Sequence, residues 1–585
     1  MILRSLLSEI QKFKSKSHLP YLSKSLMSLL VKSFIFSFLF LLLFSCEKAP
    51  KKEIVELSTS QKVPFVWENA TVYFLLTDRF NNGNSQNDLN FNRTKKTAKL
   101  RGFKGGDIKG ITKKIEEGYF SDLGVNAIWF TPIVEQIHGS VDEGTGNTYG
   151  FHGYWAKDWT TLDPNFGTGK ELKELVEKAH ENGIRIILDG VINHTGPVTE
   201  IDPVWPDNWV RTQPQCDYKS YKGTTACTLV KNLPDILTES NEEVEIPVSL
   251  VEKWKAEGRY EQEIAELNTF FEPTGYPRTP HHYIIKWLTD YITEFGIDGY
   301  RADTVKHLEA SVWAEFNDQC DFAFSEWKKN NPDKVLDNNG FYLVGEVYGY
   351  GISSENIYDF GDKKVDYFEN GFNSLINFEF KYDAQKECEF IFSKYNEKLQ
   401  GGLGNFGVLN YLSSHDDGAP FDKERKKSFE SAIKLLLSPG SAQIYYGDES
   451  ARSLIIDGTE GDATLRSFMN WEEINSDKKT QDILLHWQKI GQFRNNHPAI
   501  GAGIHKMISK SPFVFSRTYT KDNFNDKIIV GLHLPKGKKE INVSSIFNDS
   551  TVLIDAYSSE KCKVLNGKVH LTTSFEIVLL EENKK

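Results

Sequence analysis

Residues 296–307 read Gly296-Ile297-Asp298-Gly299-Tyr300-Arg301-Ala302-Asp303-Thr304-Val305-Lys306-His307. A short strand through Tyr300 and Arg301 would place Arg301 and Asp303, two residues apart, on the same face at its end. On either side, apolar runs alternate with amphipathic segments. Strands are predicted at Val72–Leu76, Val125–Phe130 and Arg185–Asp189 before this stretch, and at 341–347, 407–412 and 441–446 after it, with a weaker one near 365–368. Helices fall between them, near 109–123 and at 170–182, where Leu172, Leu175, Val176 and Ala179 share one face. Eight strand candidates over roughly 430 residues fit a (β/α)₈ barrel, which needs about 250 residues and grows by insertion. An open doubly wound sheet explains the alternation equally well, but not what stands at the strand ends.

Asp189, Asp303, Glu346 and Asp416 each stand at or shortly past the end of a different apolar strand. Barrel enzymes carry their chemistry where strands end and loops begin. One such acid alone reads as a helix cap or loop residue; four at four strand tips converge on one cleft. Glycoside hydrolysis needs two carboxyl groups, one protonated to supply the leaving oxygen and one ionised to attack or to activate water. Arg301 beside Asp303 would keep that carboxylate ionised. Glu346 closes an apolar strand, a setting that raises a carboxyl pKa.

The chain has 585 residues, 39% hydrophobic and 26% charged, with a net charge of −12. That charge argues against nucleic acid and anionic lipid as partners. Residues 34–45 (FIFSFLFLLLFS) are apolar but too short for a secure membrane span. Lys24 and Lys32 precede them and Cys46 follows, the layout of an export signal. It resembles a bacterial lipoprotein signal with Cys46 as the lipidated residue; a simple membrane anchor is the alternative, and Met27 is a second candidate start. Export implies an oxidising compartment, where Cys216 and Cys227, eleven residues apart, are expected to form a disulfide rather than stay free thiols. The segments are read as leader 1–46, tether 47–65, barrel 66–193 and 281–504 around an inserted subdomain 194–280, and an all-β C-terminal sandwich 505–585.

Taken together, residues 189–194 (DGVINH), 299–307 (GYRADTVKH), 343–348 (LVGEVY), 412–416 (LSSHD) and 233–235 (LPD) resemble the motifs of the α-amylase superfamily, glycoside hydrolase family thirteen. The resemblance runs from about residue 66 to 501. It implies Asp303 as nucleophile, Glu346 as acid/base and Asp416 as the carboxylate that stabilises the transition state. Residues 152–168 resemble the family's second-strand loop, which implies that Tyr154 stacks on the sugar at the cleavage point. His194 and His415 would bond hydroxyls of that sugar, with Arg301, Lys306 and His307 also on the substrate side. Arg466, Met469 and Trp471 resemble a segment that follows the eighth strand. The fourth motif departs from the family in carrying Ser414 where Asn is usual, which bears on the geometry around His415.

The same resemblance implies structural Ca²⁺. In the manner of cyclodextrin glucanotransferases, Asn82, Asn84, Asn87, Asp88 and Asp107 with the Gly105 carbonyl would hold one ion, and Asn193, Asp235 and the His307 carbonyl a second; hard oxygen donors suit that cation. Lys306-His307 resembles enzymes acting on α-1,4 bonds. The expected activity is retaining hydrolysis of starch, glycogen or malto-oligosaccharides. A glucanotransferase is the nearest alternative, but transferases carry an aromatic residue where this chain has Lys231. A non-catalytic glucan-binding lipoprotein is a remote one. The protein is expected to be exported, periplasmic or at the cell surface, monomeric, anchored by lipid, and allied to glycan uptake.

Overall fold

The computed structural model describes residues 63–583. The leader, Cys46 and nearly all of the tether lie outside the described residues. Among the described residues, no helix is long and apolar enough to cross a membrane.

Eight parallel strands close into a barrel: β1 (Thr71–Leu75), β2 (Ala127–Phe130), β3 (Arg185–Gly190), β4 (Gly299–Ala302), β5 (Tyr342–Gly345), β6 (Ser374–Asn377), β7 (Gly407–Tyr411) and β8 (Ser441–Tyr445), with β1 paired to both β2 and β8. Closure excludes the open doubly wound sheet. Every residue of these strands is buried, as parallel strands covered by helices on one side and packed inside the barrel on the other must be.

The helices form where their stripes can reach this barrel. Helix α1 (Ile108–Glu116) buries Ile108, Ile111 and Ile115, and Asp107 caps its first turn by accepting from the Gly110 N–H. Helix α2 (Gly169–Glu181) starts at a capping box, Thr168 with Glu171, and buries the predicted Leu172, Leu175, Val176 and Ala179. Helix α3 (Pro280–Phe295) starts with Pro at its first position and ends at Gly296 in the left-handed region. It feeds β4, and α4 (Ala310–Asn330) follows β4.

One predicted strand is misplaced. Residues 364–366 pair with 357–359 in a two-stranded hairpin outside the barrel, and the barrel's sixth strand is Ser374–Asn377. This strand begins and ends on polar residues, so it lacks an apolar run. Its Asn377 is satisfied inside, donating to Asn410 Oδ1 at 2.8 Å and to Tyr395 Oη at 3.1 Å.

Between β3 and α3 the chain forms a short pairing of Val210–Arg211 with Asp235–Ile236, then two helices, Val248–Ala256 and Tyr260–Thr274, which the sequence reading had not separated from the insertion. Cys216 and Cys227 are disulfide-bonded there, as expected. Past α7 (Lys478–Asn496; α5 is Cys388–Gln400 and α6 Ser428–Leu436) the chain turns all-β. A six-stranded sheet and a two-stranded sheet share one apolar core, with Ile529, Leu553 and Leu580 from the first and Ile541, Val569 and Leu571 from the second.

Candidate active site

Parallel register decides which side chains meet at the barrel mouth. Ala302 on β4 pairs with Gly345 on β5, and Arg301 pairs with Asp189 on β3. The next residues, Asp303 and Glu346, therefore leave adjacent strand ends together. The backbone holds both: Asp303 N–H donates to the Gly190 carbonyl and Glu346 N–H to the Ala302 carbonyl, each at 3.0 Å. Gly345 is needed at that exit, because a Cβ there would fall 2.8 Å from the Phe372 ring.

Arg301 contacts three of the four strand-end acids, Asp189, Asp303 and Glu346. Its Nη1 donates to Asp303 Oδ1 at 2.6 Å and to Asp189 Oδ1 at 2.9 Å, and its Nη2 lies 2.8 Å from Glu346 Oε1. The sequence placed Arg301 with Asp303; the structure shows it shared, so contact with Arg301 does not by itself separate the nucleophile from the acid. The charges around Glu346 set it apart. The second oxygen of Glu346 accepts the Thr304 N–H at 3.0 Å. Burial, followed by the charges of Asp303 and Asp416, pushes the Glu346 carboxyl up to about 8 despite Arg301. Thr304, next to Asp303, sits at φ +50°, a left-handed conformation that a β-branched residue avoids unless its surroundings impose it. Its N–H is thereby aimed at Glu346.

Asp189 is a support, not a free acid. It also accepts from Tyr154 Oη at 2.8 Å and from Trp129 Nε1 at 3.1 Å, and its side chain is fully buried. These bonds hold Tyr154, whose ring stacks on His415 with centroids 5.2 Å apart. His194 faces the Tyr154 carbonyl through Nε2 at 3.1 Å. Burial lowers the pKa of His194, His415 and His307, the last to about 4. Neutral imidazoles at the cleft offer hydrogen bonds to hydroxyls without adding charge. Ser414, in place of the usual Asn, lies 3.3 Å from His415 Nδ1 and 3.5 Å from Asp416 Oδ1, so a hydroxyl supplies contacts at that position. Asp416 is the most open of the three expected catalytic acids, its side chain 34% exposed against 8% for Asp303 and 9% for Glu346.

Asp303, Glu346, Asp416, Tyr154 and His415 line a cleft of about 640 Å³. Tyr154, Trp155, Tyr218 and Tyr348 present aromatic rings to it, Lys306 and His307 lie on one side, and Arg466 with Asp462 on another. Lys306 Nζ donates to the Tyr348 carbonyl at 3.1 Å. Arg466 donates to the His415 carbonyl at 3.0 Å and pairs with Asp462. Glu143, His152, Tyr218, Tyr348 and Asp462 are cleft residues that the sequence did not single out. Glu143, His152, Tyr218 and Tyr348 stand in loops with no periodicity to mark them, and Asp462 lies in the short 3-10 helix Gly461–Arg466.

Most of the first group of expected calcium ligands, and Asn193 with Asp235 of the second, are brought together. Asn82 Nδ2 donates to Asp88 Oδ1 at 2.8 Å, and both crowd Gly105, where a Cβ would come within 2.5 Å of each and φ is +92°. Asn87 Oδ1 is buried with no hydrogen-bond partner. Asp107 accepts the N–H groups of Gly83 at 3.0 Å, Asn84 at 2.8 Å and Gly110 at 2.6 Å, so it also organises the loop. In the second group, Asp235 bridges to the strand end at His194, next to Asn193. Its Oδ2 accepts from Arg211 Nε at 2.6 Å, while Oδ1 is buried and unpartnered. Burial pushes this carboxyl up to about 8. Two orphaned oxygen acceptors, one in each group, fit hard-cation sites.

The sequence matches the alpha amylase catalytic-domain family over residues 74–489. The chain belongs to the alpha-amylase family. It is 36% identical over 534 residues to the periplasmic alpha-amylase of Escherichia coli (strain K12), spanning 81% of this chain and 73% of that protein. It is 26% identical over 555 residues to a cyclomaltodextrin glucanotransferase of Geobacillus stearothermophilus, spanning 89% of this chain and 69% of that one. In fold it is similar to an Anoxybacillus alpha-amylase, with a TM-score of 0.60 and 23% identity, covering 89% of this chain and 100% of the other. This alpha-amylase family protein is an amylase-type glycoside hydrolase or transferase.

Proposed function

We propose that the protein is a retaining glycosidase of α-1,4-glucans, with Asp303 as nucleophile, Glu346 as acid/base and Asp416 as stabiliser of the transition state. The register that sets Asp303 and Glu346 side by side over Arg301 carries this reading. Asp303 attacks the anomeric carbon while the protonated Glu346 gives its proton to the glycosidic oxygen, which leaves as the alcohol. Water then attacks the glycosyl ester, Glu346 takes the proton, and the C–O bond to Asp303 breaks with the configuration restored. Tyr154 stacks on the sugar at the cleavage point, and His194 and His415 bond its hydroxyls.

Hydrolysis is favoured over transfer by the acceptor side. Leu229 and Val230 line the cleft and the next residue is the exposed Lys231, with no aromatic ring at that position. Proton NMR of the first product from maltoheptaose, with chain lengths followed over time, tests both points. Retention gives the α-anomer and hydrolysis gives shorter chains only; a β-anomer contradicts the mechanism, and products longer than the substrate favour transfer.

Calcium held by Asn82, Asn84, Asn87, Asp88, Asp107 and the Gly105 carbonyl, and by Asn193, Asp235 and the His307 carbonyl, would tie cleft-shaping loops together. It supplies charge for those oxygens and takes no part in the proton transfers. The proposed setting is export, supported by the disulfide in the insertion and by the periplasmic relative. Residues 1–46 are read as a leader lipidated at Cys46 and 47–65 as a tether. In that setting the enzyme, a monomer, would trim α-glucans before uptake. The proposed division is barrel 66–193 and 281–504, insertion 194–280, and C-terminal β domain 505–585.

A further inference from the structure

His281 and His282 occupy the first turn of α3, and Glu315 the second turn of α4. The two helices bracket β4, the strand that ends in Arg301 and Asp303. Consecutive helical residues ordinarily point apart, yet both imidazoles here face one carboxylate oxygen: His281 Nε2 lies 3.3 Å from Glu315 Oε2 and His282 Nε2 lies 3.2 Å from it. Both also face one hydroxyl on their other side, Thr279 Oγ1, at 3.2 Å from His281 Nδ1 and 2.7 Å from His282 Nδ1. Thr279 is fully buried and each histidine is 4% exposed.

Proton counting shows what is missing. A hydroxyl has one hydrogen, so Thr279 donates to at most one of the two Nδ1 atoms. At least one histidine must therefore carry its proton on Nδ1 and, unless it is an imidazolium that also donates from Nε2, turn an Nε2 lone pair toward the carboxylate. A lone pair facing a carboxylate oxygen inside the protein is repulsive unless a cation stands between them. In agreement, His282 Nε2 and Glu315 Oε2 are both buried atoms without a hydrogen-bond partner.

We infer that His281, His282 and Glu315 form a binding site for a divalent transition metal of the zinc class, separate from the calcium loops. The three donor atoms all lie within 4.8 Å of one another. Zn–N and Zn–O bonds of about 2.0–2.1 Å put neighbouring ligands of a tetrahedral ion about 3.3 Å apart, which is the spacing found on both nitrogen–oxygen edges. Two imidazoles select against Ca²⁺, which takes oxygen donors. Glu315 keeps 38% of its side chain exposed, leaving room for ion entry and for a water as fourth ligand. Thr279 orients both rings from behind, as outer-shell partners of metal-bound histidines do. Tyr276 stacks on His282 at 4.4 Å. The ion would staple α3 to α4 and brace the strand that presents Asp303.

The test uses the tag-free exported protein, stripped of metal and held in saturating calcium. Zinc titration is read by calorimetry and by thermal melting, and Co²⁺ replaces zinc for a visible spectrum of tetrahedral coordination. One equivalent of zinc should bind and raise the melting temperature, and H282Q and E315Q should lose both effects while keeping activity in calcium alone. T279V, which leaves all three ligands in place, should weaken zinc about 10–100-fold. Absence of binding by the unsubstituted protein overturns the site. So does binding that is equal in H282Q and E315Q, since it places the ion elsewhere.

Discussion

Arg301 Nη1 donates to Asp303 Oδ1 at 2.6 Å, inside the barrel, with 1% of the arginine side chain exposed. The guanidinium is therefore a fixed positive charge placed before substrate arrives, which is what stabilises developing charge without reorganisation. Replacing it with Gln should lower kcat by about 10²–10³-fold. It should also cost about 3–5 kcal/mol of stability, because three buried carboxylates lose a shared partner. Steady-state kinetics on maltoheptaose and denaturant unfolding read the two effects separately.

The pH dependence follows from Glu346. An acid catalyst works in its protonated form, so activity is present below its pKa and lost as pH rises through it. With the carboxyl pushed up to about 8 by burial and by Asp303 and Asp416, kcat/KM should hold toward neutrality. Above that point it should fall about tenfold per pH unit. An alkaline limb starting near the ordinary glutamate range would show that the carboxyl is not raised.

His497 couples the barrel to the C-terminal sheet. It ends α7 and lies 2.8 Å from Asp526 Oδ1 and 2.7 Å from Glu581 Oε2. Burial would lower its pKa, but the bonds to Asp526 and Glu581 prevail and raise it to about 9. A histidine raised in the folded state stabilises fully below its unfolded pKa and loses that stability as pH rises through the folded value. H497Q should therefore cost about 2 kcal/mol at pH 6, after allowance for screening at the partly exposed Glu581, and little above pH 9. Urea unfolding at the two pH values checks it.

Calcium removal should destabilise the fold. The buried Asn87 Oδ1 and Asp235 Oδ1 have no protein partner, and a bound ion would supply one to each. A ligand at a hundredfold excess over its Kd contributes about 2.7 kcal/mol, so chelation should lower the melting temperature measurably. N87L should make the protein less sensitive to chelator than the parent. Equal melting with and without chelator would remove the calcium reading.

The acids were legible because a barrel places strand ends in a common mouth, so four carboxylates after four apolar runs needed no distance to be suspected. Arg301 and Asp303 were legible through the two-residue period of a strand. What Arg301 does beyond Asp303 was not, since Glu346 stands 43 residues further along the chain from Asp303 and only register across β4 and β5 brings it under the same guanidinium. The sixth strand was hidden because it begins on Ser374 and ends on Asn377, polar residues buried inside the barrel. Glu143 and Tyr218 reach the cleft from loops, where tertiary placement leaves no local pattern. The His281–His282–Glu315 cluster spans two helices and has no spacing signature in the chain.

The central claim is that Asp303 becomes covalently attached to the sugar. An E346Q variant given an activated α-glucosyl fluoride needs no acid for the first step and lacks the base for the second. Intact mass spectrometry should then show one glycosyl unit added, and peptide mapping should locate it on Asp303. An unmodified protein that still turns over the fluoride, or a glycosyl group on any other residue, would contradict the account.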